Sequence, residues 1–205
     1  DSYLERYIYS LVLEGKIDQA TNEIKMNLTT NNSNFFEAHL ILAMDSLKKK
    51  KYAKSKDHLK QAREHINNDR ISLIIYETLM EYLYLFESNK ILKKKKNFGN
   101  LTFISETFQR CYLGDKTTQV YFDNLINNDS GTDYSRYIFF YMGYLIEENK
   151  HEKAKEIVED LEYLNTPILI SQGKKWIEEE KLEEFKRIFS CKNPNDLISE
   201  FFFLI

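Results

Sequence analysis

Two stretches of this 205-residue chain carry one pattern written twice. Leu4-x-x-Tyr7-Ile8-x-x-Leu11, followed by Gly15-Lys16-Ile17-x-x-Ala20-x-x-x-Ile24, superposes without gaps on Ile138-x-x-Tyr141-Met142-x-x-Leu145, followed by Asn149-Lys150-His151-x-x-Ala154-x-x-x-Val158. The offset is 134 residues, which holds about four periods of roughly 34. A third copy lies between them: Tyr52, Ser55, Leu59 and Ala62 repeat Ile17, Ala20, Ile24 and Asn27 at an offset of 35. Each copy reads as a helix, a tight polar turn, and a second helix with a small residue early in it. A helix pair of this kind cannot bury its apolar face alone, so neighbours must stack on it. The pattern therefore predicts an array of antiparallel helix pairs rather than one central core.

Composition narrows the class further. Six Gly and two Pro are too few for the turns of a many-stranded β fold, whereas 14 Tyr and 14 Phe suit a wide helix-on-helix core. The fold class is all-α. Charge is nearly balanced, 29 Lys+Arg against 32 Asp+Glu, and the net charge of -3 gives no global pull toward nucleic acid or anionic membranes. No apolar run reaches the roughly 20 residues of a membrane span. The bias to Lys, Asn, Ile, Tyr and Phe is that of an AT-rich genome, as in many bacteria. Cys111 and Cys191 stand 80 positions apart without CxxC spacing or a neighbouring His. They read as two small buried apolar side chains rather than as a disulfide or zinc ligands.

Along the chain, helices are predicted over 3–14, 17–29, 34–48, 52–66 and 70–88, with Ser33 or Asn34 capping the third and Asp69 the fifth. Residues 89–100, with Lys93–Lys96, read as a long turn. Helices resume at 101–113, 116–127, 133–148, 151–164, 166–180 and 182–190, and Asn193-Pro194 opens a last one. The chain is taken as one repeat domain over 1–205, less regular in 67–132, with any subdomain boundary in 89–100 or 127–132. Phe201, Phe202 and Phe203 have no following helix to cover them. They are expected either to continue into sequence beyond residue 205 or to mediate self-association, with at least one ring exposed.

The arrangement resembles the tetratricopeptide repeat superfamily. Ala20, Ser55 and Ala154 match its small position 20, Ala43 and Gly173 match position 8, Tyr52 matches position 17, and Ala62 matches position 27. The chain departs from the family in lacking the Trp-Leu-Gly signature, in carrying Ile8 and Met142 where Gly or Ala is usual, and in placing Phe185 in a small-residue slot. The resemblance implies a right-handed superhelical solenoid of about 11–12 helices whose first helices line a concave groove. On this register the groove is lined by Tyr9, Val12, Leu40, Met44, Leu47, Phe139, Ile146, Ile170, Lys174 and Ile177. That set is mostly apolar, which suits an amphipathic helix better than a carboxylate-clamped peptide.

Residues able to carry chemistry are few. His58 and His65 are seven apart on one helix, about 10 Å of rise, and read as solvated; His39 and His151 have no partner near them in sequence. Glu147-Glu148, Glu178–Glu180 and Glu183-Glu184 fall at helix turns among lysines, as a solvated rim does. Lys48–Lys51 and Lys93–Lys96 lack interleaved aromatics, which argues against nucleic acid. The chain has no P-loop, GxGxxG, GxSxG or HExxH motif, and nothing in it calls for a cofactor or metal. The expected role is a non-enzymatic protein–protein interaction module that scaffolds a partner peptide or helix. The alternative is a helical regulatory or adaptor region of a larger enzyme. The sequence leaves the compartment open between the cytoplasm and, with a signal removed before Asp1, the periplasm.

Overall fold

The fold is given by a computed structural model that describes residues 3–28, 34–127, 135–159, 171, 174–176 and 182–204. Eleven helices can be delimited there and no strand occurs among the described residues. They fall into two compact units, Asp1–Lys96 and Asn97–Ile205, which divide inside the 89–100 stretch. The first unit holds α1 (Tyr3–Leu13), α2 (Ile17–Asn27), α3 (Phe36–Lys48), α4 (Tyr52–Glu64) and α5 (Arg70–Ser88). The second holds α6 (Asn100–Leu113), α7 (Thr118–Ile126), α8 (Ser135–Glu147), α9 (His151–Glu159), α10 (Leu182–Ile188) and α11 (Pro194–Leu204).

One turn recurs four times and makes the repeat physical. Gly15, Lys50, Gly114 and Asn149 all have positive φ, between 56° and 73°. At each, two backbone hydrogen bonds close the preceding helix. Gly15 N–H reaches Val12 O and Lys16 N–H reaches Leu11 O; Lys50 reaches Leu47 O and Lys51 reaches Ser46 O. Gly114 reaches Cys111 O and Asp115 reaches Arg110 O; Asn149 reaches Ile146 O and Lys150 reaches Leu145 O. This 5→2 and 6→1 pairing is the Schellman arrangement, which satisfies the last carbonyls of a helix and reverses the chain. The second helix then starts alike in three copies: Ala20, Ser55 and Ala154 donate to the carbonyls of Lys16, Lys51 and Lys150. All three small side chains are buried. The α6–α7 turn belongs to the same series although the sequence showed no repeat there, because backbone geometry tolerates side chains that the pattern does not.

In the first unit Ile8 and Leu11 of α1 pack with Ala20 and Ile24 of α2 and Ala38 and Leu42 of α3. The close approach of α3 and α4 is fixed by Ser55, whose Oγ donates to Ala43 O at 2.8 Å. Asp69 caps α5 as expected, accepting from Ile71 and Ser72 backbone N–H. The cap of α3 differs from expectation. Phe35 occupies the cap position without a side-chain bond, and Asn34 is turned to another task described below; Ser33 lies outside the described residues.

The second unit is built on rings. Phe108 meets Phe122, Tyr137 and Phe140 edge-on, and Phe122 stacks on Tyr141 at 5.0 Å. Residues 137–146 of α8 are buried one after another, so this helix is covered on every side. At Gly143 an added Cβ would run into the carbonyl oxygen of Phe189, so only glycine lets the chain after α10 come that close. The cysteines correct the sequence reading: Cys111 at the end of α6 and Cys191 in the turn before α11 form a disulfide, with Cα atoms 5.7 Å apart. Eighty residues of intervening chain hide this contact, which exists because α11 folds back onto α6. Lys192 reinforces it, its Nζ donating to Cys111 O at 3.0 Å. The return also changes the reading of the terminal aromatics. Leu197, Ile198 and Phe201 are buried and Phe202 is half-buried, its ring 5.5 Å from that of Phe201, while the Phe203 side chain lies outside the described residues.

Candidate functional site

Three histidines that are scattered in sequence meet in the first unit. α3 carries His39 inward, 2% exposed, and α4 with its C-cap brings His58 and His65 beside it. The His39 ring stacks on His65 at 5.7 Å, nearly parallel, and lies 6.3 Å from His58. Asn34 closes the group: its Oδ1 accepts from His39 Nε2 at 2.8 Å and from His65 Nε2 at 3.0 Å. Two imidazoles donating to one amide oxygen must both be Nε2–H tautomers when neutral. The buried Nδ1 atoms of His39 and His58 have no hydrogen-bond partner. Burial first, then the neighbouring His65 and His58, push the His39 pKa down to about 4. Burial also lowers that of His58, against the opposing hydrogen bond of Gln61 and the charge of Asp57. The reading of His39 as lacking a partner, and of His58 and His65 as solvated, is thereby corrected. The i, i+7 spacing that separates two imidazoles along α4 lets both reach one ring on α3.

The Nε2 atoms of His39 and His65 are committed to the Asn34 amide oxygen. Among the described residues no group of three or more His, Cys, Asp or Glu is arranged to hold a metal ion.

Two further polar clusters lie in the second unit. Asp123 of α7 accepts from Tyr141 OH of α8 at 2.5 Å and from Lys153 Nζ of α9 at 3.0 and 3.1 Å. Burial and the Asp123 carboxylate hold the Tyr141 phenol far above its usual range, so it stays a hydrogen-bond donor to Asp123, the carboxylate that ties three helices. The second cluster centres on Arg110, whose Nη2 meets Glu106 at 2.6 Å and whose Nη1 meets Asp115 and Thr117. Its guanidinium lies 4.1 Å over the Tyr121 ring, and Tyr121 OH donates to Glu106. Both clusters spend their donors and acceptors on joining helices.

The residues expected to line a groove are split by the structure. Leu47, Phe139 and Ile146 are buried, so they cannot face a ligand in the folded chain. The reason for the last two is the all-round covering of α8, whose unbroken apolar run Tyr137–Ile146 was the available signal. Tyr9, Val12, Leu40, Met44 and Lys174 are half-buried, while Ile170 and Ile177 lie outside the described residues. Tyr9 is edge-on to Phe35 at 6.3 Å and donates to Glu5 at 3.2 Å. Burial, helped by Glu37 and Glu5, raises its pKa, which places two carboxylates beside the phenol. No family model, curated protein or solved structure matches this chain.

Proposed function

We propose that the chain is a non-enzymatic protein-binding module, a tetratricopeptide-like array of antiparallel helix pairs that receives a partner helix or peptide. The observation that carries this reading is the recurrent Schellman turn at Gly15, Lys50, Gly114 and Asn149, with Ala20, Ser55 and Ala154 buried at one equivalent place. Repeated helix pairs of this sort offer extended surfaces rather than a single pocket. The polar clusters fit the same reading, since each fastens helices together.

The receiving face is the half-buried part of the expected groove in the first unit: Tyr9 on α1 with Leu40 and Met44 on α3. With Glu5 and Glu37 beside Tyr9, it suits a helix that alternates apolar side chains with Lys or Arg. The test is affinity capture with the whole chain, followed by titration of each captured protein against the double variant Leu40→Glu/Met44→Glu. Neither side chain is fully buried, so the variant should keep its melting temperature and lose about tenfold or more in affinity. Undiminished binding by a folded double variant overturns the assignment of this face.

A further inference from the structure

The net charge of -3 averages two unlike units: Asp1–Lys96 carries 17 Lys+Arg against 13 Asp+Glu, and Asn97–Ile205 carries 12 against 19. Within the first unit one run of basic residues stands at a helix turn. Lys48, Lys49, Lys50 and Lys51 form the α3–α4 turn and are all exposed, as is Lys54 in the first turn of α4. Lys49 is held by Asp45 at 2.6 Å, whereas Lys48, Lys50, Lys51 and Lys54 make no ion pair among the described residues.

The α1–α2 turn leads into α2. Lys25 of α2 lies within 3.8 Å of Asp45, the carboxylate that also holds Lys49, so α2 packs beside the part of α3 that leads into the lysine turn. Asp18, at the start of α2, acts on the ammonium of Lys49. The side chains flanking that neighbouring turn are Leu13, 88% exposed, and Ile17, 43% exposed. The acid between them, Glu14, is taken by Lys16 at 2.7 Å. Two adjacent hairpin ends thus present unpaired lysines beside bare aliphatic side chains.

Lysines next to exposed aliphatics match the two layers of a bilayer surface, anionic headgroups and the acyl boundary beneath them. Nucleic acid fits less well: no exposed aromatic ring stands among these lysines to stack a base, Tyr52 being half-buried. We propose that this end of the first unit docks on anionic phospholipid bilayers, with Lys48, Lys50, Lys51 and Lys54 at the headgroups and Leu13 and Ile17 in the acyl boundary. This is a peripheral contact, compatible with the absence, among the described residues, of a helix long and apolar enough to cross a membrane. It does not depend on the partner-binding face at Tyr9, Leu40 and Met44.

The test is cosedimentation of the full chain with vesicles of phosphatidylcholine alone and of equimolar phosphatidylcholine and phosphatidylglycerol, at low and at raised salt. Binding should require phosphatidylglycerol and weaken with salt. At about fivefold per lysine, Lys48→Glu/Lys51→Glu/Lys54→Glu should weaken it about 100-fold or more. Leu13→Ser/Ile17→Ser should weaken it about tenfold while the far-UV spectrum and melting temperature stay unchanged. Equal sedimentation with both vesicle types overturns the proposal, as does full binding by the folded triple lysine variant. Retention of a single-stranded oligonucleotide with no vesicle binding also overturns it, and reassigns the lysines to nucleic acid.

Discussion

At the scale of single residues, His39 is the side chain whose environment departs furthest from its sequence neighbourhood. A ring held at a pKa of about 4 in the folded chain, against the usual 6.5, stays neutral while the unfolded chain takes up a proton. Between those values the unfolded state binds more protons, so stability is complete above about pH 6.5 and is lost as pH falls toward 4. We expect a loss of about 1–3 kcal/mol from this ring over that range. Denaturant titrations at several pH values would measure it. His39→Gln keeps an N–H for Asn34 but cannot titrate, and should flatten the upper part of the profile, between about pH 6.5 and 5, before carboxylates begin to protonate. An unchanged slope there would show that His39 is not the responsible group. Nothing in the residues flanking His39 announces this cluster; Asn34, His58 and His65 converge on it only once α3 and α4 are packed.

At the scale of helices, the small positions were legible. Ala20, Ser55 and Ala154 were picked out by spacing alone, and each is buried. They recur because a helix hairpin closed by so tight a turn leaves little room where its second helix begins. Ala154→Leu should overpack the contact of α8 with α9 and cost about 1–3 kcal/mol. An unaltered melting temperature would mean that α9 has room at this position. The faces of the helices were harder to read. An amphipathic register was imposed on α8, whose sequence is apolar all round, so Phe139 and Ile146 were placed on a surface although they are core. Leu47 is buried in the last turn of α3, where its carbonyl also accepts the closing hydrogen bond of Lys50. For the same register Tyr9, Leu40 and Met44 are half-buried and remain accessible.

At the scale of the whole chain, the disulfide is the covalent link between segments distant in sequence. Joining Cys111 to Cys191 closes a loop across 80 residues and fastens α11 to α6. Cross-links over loops of this length contribute about 2–4 kcal/mol, chiefly by restricting the unfolded chain. Thiol titration of the denatured, unreduced protein should therefore find no free thiol. Reduction, or Cys191→Ser, should lower the melting temperature and speed amide exchange in α11 more than in α1–α5. Two titratable thiols in protein purified without reductant would contradict the bond. A disulfide of this kind also bears on compartment, since such bonds persist where the surroundings are oxidising.

The sequence by itself determined the helices of the described residues, three of the four like turns, the buried small residues and the cap at Asp69; the helix expected over 166–180 lies largely outside the described residues. These features depend on neighbours within about one repeat, and periodicity records such neighbours directly. Tertiary structure alone decided the division at Lys96, the meeting of three imidazoles on Asn34, the clamp of Asp123 on Tyr141 and Lys153, and the pairing of Cys111 with Cys191. Each of these joins residues from different helices, and which helix faces meet is fixed by packing across the fold, a quantity no local pattern carries.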